Sequence, residues 1–380
     1  MAKKKNTRAS NGMGSIRQRK DGRWEARYTT PDGRQRSVYA QTEKEVTAKL
    51  RGQLHDLDTG AWREPSKMTV GEWLDIWLKD YQGHTSERSV IKYRSIIKNH
   101  IKPAVGSVKL SKLSPIHVRR LMTELSGLKP YTVKTYMTIF SGAINCAVEA
   151  DLIKQNPVLK IKKPRVPPQH FNVIDREDIP AFIEEAKKTH YPNELIFMLL
   201  TGLRVGEVRG LRWSDVDLDA KTANVQRQLH PKSLSSERFT PPKYGEARLL
   251  HLADEAVDVL RDQKRRQAEQ HIAAENWNDS DISNDLVFRQ RNGKPHGEKT
   301  IYTAVQRVGK AIGVPDLHPH DLRHSYAVAA LRSGADVKTV QHNLGHKTAK
   351  MTLDTYASYT DDAGKEGAKK LSSYLKSTTK

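Results

Sequence analysis

Residues 318–325 read HPHDLRHS, a stretch with three histidines and one arginine in eight positions. If a helix starts here, His320, Arg323 and His324 stand at i, i+3 and i+4 and share one face, while Leu322 lies on another face and anchors the helix. The first turn of a helix has free N–H groups and the positive end of the dipole, so it attracts anions and favours the neutral form of a histidine. The stretch predicts a polar cluster at a helix start, with His320 in the first turn.

A metal ion and a phosphate are the two ligands that such a cluster suggests. His342 and His346 also stand at i, i+4, a spacing that zinc sites use, but the HExxH pattern is absent and the one cysteine, Cys146, is not near. Arginine does not normally ligate metals, whereas its planar guanidinium suits phosphate oxygens. Arg323 therefore favours phosphate. Any single histidine of the cluster could be a surface or core-edge residue without a functional role, but that alternative explains the whole group poorly.

The charge of the chain points to a polyanionic partner. Lys and Arg number 65 against 44 Asp and Glu in 380 residues, a formal net charge of +21. Nucleic acid is the first candidate, and a membrane is disfavoured because no apolar run approaches ~18 residues. At this length we expect two or three domains.

The start of the chain and its cysteine content predict a compartment. The basic stretch MAKKKNTRAS is followed by NGMGSIRQRK, where the apolar segment of a signal peptide would have to stand. A single cysteine suits a reducing compartment. We therefore expect a cytoplasmic protein that works on DNA.

Residues 1–65 are predicted to form a small α+β module. Three strand-like segments in residues 14–40, separated by the turns DG and PDG, indicate a three-stranded antiparallel meander. Thr42 followed by Glu45 is a capping-box pattern that starts a helix, with Gly60 as its stop.

The predicted strands of this module are rich in arginine. The first 65 residues hold fifteen Lys or Arg against eight Asp or Glu. A sheet that carries arginines can lie in a DNA major groove, and a solvated basic face is the alternative. The charge of the whole chain favours DNA. The candidate DNA-binding residues are Arg17, Arg19, Arg23, Arg27, Arg34 and Arg36.

Residues 66–160 show helical periodicity and predict an all-α module of about four helices. Ser114 before Pro115 is a helix start, with Ser as N-cap and Pro at the first position. Residues 161–169, rich in Pro and positively charged, are predicted to be an extended interdomain linker that lies against DNA. The apolar stripes expected in the core of the helical module are Trp73, Ile76, Trp77, Val133, Tyr136, Ile139 and Phe140.

Residues 170–364 are predicted to form the largest domain, mixed but mainly α, with a small antiparallel sheet. Helical segments include ELIFMLLTG and DEAVDVLRDQKRRQAEQ, and KTANVQRQL and ARLLHL read as strands. Residues 365–380 form a tail in which Ala368, Leu371 and Leu375 share one stripe of a short helix. The tail packs either on its own domain or on a neighbouring subunit.

Five motifs together carry a resemblance. They are TGLRVGEVRGLRW at 201–213, PPKYGEARLLHL at 241–252, HDLRHS at 320–325, LGHKT at 344–348 and TLDTYASY at 352–359. In this order they resemble the catalytic boxes of the tyrosine recombinases, the phage integrase family. The helical module resembles the core-site-binding domain of that family, and the meander with its helix resembles the arm-site-binding domain of phage-type integrases.

The resemblance implies six catalytic residues. They are Arg204, Lys243, His320, Arg323, His346 and Tyr356. The hairpin lysine is the least secure, because Lys232 lies nearby; Lys243 is preferred for the turn, the following strand and Arg248. Tyr359 is a second possible nucleophile, and the spacing from LGH favours Tyr356.

The chemistry implied is attack of a tyrosine on a phosphodiester. A tyrosine of pKa ~10 is about three units from ionised at pH 7, which costs about 4 kcal/mol. Arg204 and Arg323 would bind the non-bridging oxygens, His320 would accept the phenolic proton and Lys243 would protonate the departing 5′ oxygen. His346 would donate a hydrogen bond to the phosphate. A 3′-phosphotyrosyl intermediate would need no cofactor and no metal.

The resemblance therefore implies a site-specific recombinase that integrates, and also excises, a phage or mobile element. Implied partners are double-stranded DNA with core and arm sites, three further copies of the chain in a tetramer, a host DNA-bending factor and an excisionase. Two alternatives stay open: a type IB-like topoisomerase, and a non-catalytic DNA-binding accessory protein on the same scaffold.

Overall fold

The computed structural model describes residues 14–60, 62, 67–81, 83, 85–167, 171–230, 239–242, 246–278, 280, 284–356 and 372, with the backbone alone at 351 and 354–356. The chain divides into two compact units, Met1–Val166 and Pro167–Lys380. The division falls inside the stretch predicted as a linker, where residues 162–167 form neither helix nor strand. The tail at 365–380 and the side chain of Tyr356 lie outside what the structure describes.

The first unit begins with the predicted meander and helix, and both are confirmed. Its elements are β1 (Ser15–Gln18), β2 (Trp24–Thr29), β3 (Gln35–Ala40) and α1 (Glu43–Asp58). The strands are antiparallel in the order β1-β2-β3. The Thr42 hydroxyl accepts from Glu45 N at 3.2 Å, as the capping-box pattern predicts. One face of the sheet packs on α1 through Ala26, Tyr28, Ala40, Val46 and Leu50.

The same unit continues with the predicted helical module. Its elements are α2 (Val70–Asp80), α3 (Glu87–Ile96), α4 (Lys102–Val105), α5 (Pro115–Glu124) and α6 (Pro130–Glu149), with a π-helical segment (Ile97–Ile101) joining α3 to α4 and short 3₁₀ turns at Leu110–Lys112 and Pro157–Lys160. Ser114 is the N-cap of α5, as predicted. The apolar stripes form the core as expected: Trp73 and Phe140 are buried, and Trp73 Nε1 donates to Ala143 O at 2.8 Å.

The second unit is mainly helical around a small sheet. Its elements are α7 (Ile179–Lys187), α8 (Pro192–Thr201), α9 (Val205–Gly210), β4 (Val216–Asp217), β5 (Thr222–Val225), β6 (Gln228–Leu229), β7 (Phe239–Thr240), β8 (Arg248–His251), α10 (Asp254–Ala273), α11 (Glu298–Ala311), α12 (Pro319–Arg332), α13 (Val337–Leu344) and α14 (Ala349–Tyr356), with a 3₁₀ turn at Trp213–Asp215. Strands β4, β5 and β8 form one antiparallel sheet, and β6 pairs with β7. The core lies under α8, which is buried along nearly its whole length.

One local prediction for this unit was wrong. KTANVQRQL is not one strand: β5 ends at Val225 and pairs with β8, whereas β6 starts at Gln228 and pairs with β7. Among the described residues, no helix is both long enough and apolar enough to cross a membrane.

Candidate active site

The motif HPHDLRHS starts α12, as predicted. His318 is the N-cap residue, Pro319 is the first helical residue, and His320 therefore lies in the first turn. Asp321 Oδ2 accepts from His318 N at 2.8 Å and satisfies one of the free amides of that turn. Burial raises the pKa of Asp321, against the hydrogen bond from His318.

Arg323 is buried in the second unit, with 1 % of its surface exposed. Its Nη1 donates to Gly202 O at 2.9 Å, and its Nη2 donates to Leu344 O. These carbonyls lie at the C-terminal ends of α8 and α13, and each helix closes on a glycine with positive φ, Gly202 and Gly345. The guanidinium charge therefore stabilises the negative ends of two helix dipoles.

Arg204 stands immediately before α9 and is its N-cap residue. Its backbone N donates to Glu207 Oε2 at 3.0 Å, and its Nη1 donates to Glu207 Oε1 at 2.9 Å. Its Nη2 donates to Gly345 O at 3.3 Å. The Arg204 side chain is 17 % exposed, so it is more accessible than that of Arg323.

Glu207 is shared between two arginines. Arg248 donates to both of its carboxylate oxygens, at 3.1 and 2.8 Å. Burial alone would raise the pKa of Glu207, but the hydrogen bonds and charge of Arg248, together with the charge of Arg204, lower this pKa to about 2. The carboxylate is therefore ionised and fixes both guanidinium groups.

Three arginines converge on the last turn of α13. Arg248 Nε donates to Asn343 O at 2.9 Å, so three consecutive carbonyls, at positions 343, 344 and 345, accept from Arg248, Arg323 and Arg204. We call this group the α13 arginine clamp. It brings Arg204 and Arg323, which are 119 positions apart by their numbers (323 − 204), to adjacent carbonyls directly before His346.

His346 connects the clamp to α14. Its Nδ1 shares a hydrogen bond of 2.9 Å with the hydroxyl of Thr352, which is fully buried. Burial, followed by the charges of Arg323 and Arg204, lowers the pKa of His346 to about 3. The imidazole is therefore neutral near pH 7. Helix α14 ends at Tyr356, one turn after Thr352.

His324 lies between two other rings. Its ring stacks on that of Phe171, with centroids 3.8 Å apart, and meets the ring of His320 edge-on at 4.7 Å. Burial, then the charges of His320 and Arg323, lowers the pKa of His324 to about 3.

The structure brings together Arg204, His320, Arg323 and His346, and it gives the backbone position of Tyr356. Lys243 lies outside the described residues, as do the alternatives Lys232 and Tyr359. Within the described part of the chain, no three His, Cys, Asp or Glu side chains are grouped to hold a metal ion.

Sequence reasoning missed Glu207 and Thr352 and gave Arg248 no role of its own. Glu207 had a signal: it stands three residues after Arg204 at a helix start, the position of the acidic partner in a capping box. The sequence contains no such signal for Arg248 and Thr352, because their hydrogen-bond partners are distant in sequence or belong to a different element.

The six N-terminal arginines occupy three kinds of position: the sheet face that α1 does not cover, places next to the turns, and the face that α1 covers. Arg17 and Arg27 lie on the sheet face that α1 does not cover, and both donate to Glu25, which is itself only 2 % exposed. The Ser37 hydrogen bond, against burial and together with Arg17 and Arg27, lowers the pKa of Glu25 to about 2. Arg19 lies over the ring of Tyr39 on the same face.

The other three arginines are oriented differently. Arg19, Arg23 and Arg34 were predicted on strands, which is wrong: Arg19 follows the end of β1, and Arg23 and Arg34 directly precede β2 and β3. Arg23 and Arg34 pair with Asp21 and Asp32. Arg36 pairs in register with Tyr28, whose buried ring faces α1, so Arg36 is on the covered side. The open face is therefore formed by Arg17, Arg19, Arg27, Ser37 and Tyr39 around Glu25; we call it the open sheet face.

Two family models match the sequence. The model described as the phage integrase family matches residues 172–362, more than half of the chain. The chain belongs to the phage integrase family. It is a tyrosine-type site-specific recombinase, and the model of the phage integrase N-terminal SAM-like domain matches residues 69–126.

Relatives and solved structures agree with this membership. The integrase-family chain is 25 % identical over 341 residues to a XerC-like tyrosine recombinase of Caldanaerobacter subterraneus subsp. tengcongensis, covering 84 % of this chain and 87 % of the relative. It is 24 % identical over 337 residues to the ICEBs1 integrase of Bacillus subtilis, covering 87 % and 89 %.

Two solved structures share the fold. The Tn1549 transposon integrase in complex with a circular intermediate DNA gives a TM-score of 0.67 at 17 % identity, covering 80 % of this chain and 99 % of that one. A lambda integrase dimer bound to a core site gives 0.60 at 17 % identity, covering 92 % and 95 %.

Proposed function

We propose that this chain integrates and excises a phage or mobile element by cutting and rejoining DNA through a 3′-phosphotyrosyl intermediate. The α13 arginine clamp is the observation that supports this most. It gathers two phosphate-binding side chains on one helix end, directly before His346 and the helix that ends at Tyr356. Catalysis of phosphoryl transfer is mostly positioning and charge stabilisation, which a rigid clamp of this kind supplies.

Arg204 and Arg323 bind the two non-bridging oxygens of the scissile phosphate. Each guanidinium carries five N–H donors in a planar arrangement that matches phosphate oxygens. Glu207 keeps Arg204 in place through its Oε1, and its Oε2 accepts a hydrogen bond from Arg248. The net positive charge of the group stabilises the extra negative charge of the transition state.

The tyrosine oxygen of Tyr356 attacks phosphorus, and the bond to the 5′ oxygen breaks. The phenolic proton passes to His320, and Lys243 gives a proton to the 5′ oxygen, which leaves as a hydroxyl. Rejoining reverses these steps with the 5′ hydroxyl of a partner strand. His346, neutral near pH 7, donates from Nε2 in the tautomer whose Nδ1 accepts from Thr352.

Two DNA contacts are assigned to the first unit. The helical module binds the core site, and the open sheet face binds the arm site in a major groove. The linker at 161–169 runs along DNA. Four copies act together; a lambda integrase structure with the same fold is a tetramer bound to a Holliday junction. A host DNA-bending factor and an excisionase complete the assembly.

A trapped covalent complex tests the proposal. With a nicked duplex carrying the junction of the element that encodes the chain, the parent protein becomes covalently attached to DNA, and Tyr356→Phe abolishes the adduct while DNA binding is retained. Tyr359→Phe is the matched control and keeps the adduct. An adduct in Tyr356→Phe would assign the nucleophile to another residue.

Strand exchange separates this proposal from its two rivals. The parent should join two defined sites in the presence of EDTA. Relaxation of any supercoiled plasmid without exchange between sites would instead indicate a topoisomerase. DNA binding without any covalent complex would indicate an accessory protein.

A further inference from the structure

Three aromatic rings lead from the beginning of the second unit into the candidate active site. Phe171 stacks on His324 with the ring planes 29° apart, and His324 meets His320 at 83°. Stacked and edge-on pairs of this kind are the favoured arrangements of aromatic rings. The row of rings ends on the side chain to which the proposed function gives the phenolic proton.

The segment that carries Phe171 is held against α12. Ile174 N donates to the hydroxyl of Ser325 at 2.8 Å, and that hydroxyl donates to Asp321 O at 2.8 Å. Asn172 Nδ2 donates to Asp316 O at 2.9 Å. These bonds fix the backbone on the C-terminal side of Phe171, so its ring has a defined place on the helix.

His324 is unsuited to proton transfer of its own. It is 5 % exposed, and burial lowers its pKa to about 3, so the ring is neutral between about pH 5 and pH 8. A neutral ring adds no charge beside His320 and competes for no proton there. What it provides is a surface against which the His320 ring packs.

We propose that Phe171 and His324 are positioning residues that fix the ring of His320 in the orientation in which it accepts the proton of Tyr356. This rests on the proposed function, since it takes His320 as the proton acceptor. A histidine in the first turn of a helix has several staggered rotamers, and a base out of line with the proton loses most of its effect. The stack selects one rotamer.

Kinetics on the full-length chain test the inference. Phe171→Leu keeps an apolar side chain and removes the ring, and it should slow adduct formation on the nicked duplex about tenfold in single turnover with an unchanged Kd for that DNA. Phe171→Tyr keeps the ring and should restore the rate to within about twofold of the parent. Val173→Ala is the control, because Val173 packs in the same segment within another apolar cluster. An equal loss of rate in Val173→Ala, or a Kd that rises with the loss, would overturn the inference.

Nuclear magnetic resonance on histidine-labelled protein gives a readout that needs no catalysis. In the parent, the His324 signal should not titrate between about pH 5 and pH 8, and in Phe171→Leu its chemical shift should change because the stacked ring is gone. The chemical shift of His320 should also change in Phe171→Leu, because the His324 ring that packs on it is no longer held by Phe171. An unmoved His320 signal refutes the inference even if the protein is fully active. A parent that forms no adduct refutes the proposed function instead, and the two signals still decide on the stack.

Discussion

At the scale of single residues, Glu207 is the side chain on which the site most depends. It is buried and accepts hydrogen bonds from Arg204 and Arg248, whose charges face each other across it. Glu207→Gln removes the negative charge between the two arginines and leaves the buried guanidinium of Arg248 and the partly buried one of Arg204 without a carboxylate partner. We expect a loss of about 3–5 kcal/mol in the free energy of unfolding. We also expect the molecules that remain folded to form the adduct more slowly.

The matched control for Glu207 is Asp215→Asn in the same unit. Asp215 is a buried carboxylate that accepts from Gln226 and Arg227 beside β4 and β5. It should lower stability by a comparable amount, measured by urea denaturation, while the folded fraction keeps its rate of adduct formation. If both variants lose the same activity per folded molecule, Glu207 has no role in positioning Arg204.

Two histidines give the stability of the second unit a defined pH dependence. The pKa values of His324 and His346 are lowered to about 3, chiefly by burial, from about 6.5 in the unfolded chain. The unfolded state then binds more protons between these values, so stability is complete above about pH 6.5 and falls as the pH decreases toward 3. Each histidine should cost about 2 kcal/mol between about pH 7 and pH 5.

Urea denaturation at several pH values checks this prediction. The pKa values of Glu25 and Glu207 are lowered from about 4.5 to about 2, so their contributions to stability are lost only as the pH falls from about 4.5 toward 2. Measurements between pH 7 and pH 5 therefore report the two histidines. In His324→Gln, the free energy of unfolding should depend less steeply on pH between pH 5 and pH 6.5, by the slope that corresponds to about one proton. A parent protein equally stable at both pH values would contradict the buried neutral state of the two rings.

At the scale of elements, the last turn of α13 decides the geometry of the site, and Gly345 is its critical position. Gly345 has φ +60°, and a Cβ there would lie 3.0 Å from Arg248 Nη1. Gly345→Ala should cost about 1 kcal/mol of stability for the left-handed backbone and should also displace Arg248, slowing adduct formation.

Gly313→Ala is the matched control for this turn. Gly313 has φ +82° in the same unit, and nothing lies within 4 Å of the Cβ position. It should show the same loss in thermal stability without the loss of rate. A rate equally reduced in both variants would mean that the displaced guanidinium does not matter for cleavage.

The sequence predicts elements well where one local pattern determines them. The meander is specified by turn residues at Asp21 and Asp32, and α1 and α12 are specified by residues at their own N-termini. It does less well in the second unit. β5 and β6 read as one strand because alternation continues across Gln226 and Arg227, and only the two different partners, β8 and β7, separate them.

The site shows the same division between local and distant information. The first turn of α12 and the relation of Glu207 to Arg204 follow from spacings of three and four residues. The α13 arginine clamp does not, because its carbonyls belong to whichever residues the fold brings to a helix end. A carbonyl has no signature in the side-chain sequence, so the clamp became visible only in three dimensions.

At the scale of the whole molecule, charge and geometry assign different tasks to the N-terminal arginines. The chain carries a formal net charge of +21, and a basic side chain that contacts a phosphate strengthens binding to DNA through released counterions. Arg17 and Arg27 differ from the rest, since Glu25 holds both of them on the open sheet face with fixed orientation. We propose that guanidinium groups held in this way contact the edges of guanine bases, whereas Arg23 and Arg34, next to the turns, contact phosphates.

Binding of the full-length chain to arm-site DNA at several salt concentrations distinguishes these tasks. Arg17→Ala and Arg27→Ala should each lower the affinity for the arm sequence by about 1–3 kcal/mol while affinity for unrelated DNA changes little. Arg23→Ala should weaken both alike and reduce the slope of log K against log salt by about 0.9. Arg36→Ala, on the face covered by α1, is the control and should change neither. Because the clamp and α12 belong to the second unit, cleavage of a core site on its own should be unaffected in all four variants; a loss of core cleavage in Arg17→Ala would mean that the open sheet face does not serve a separate DNA site.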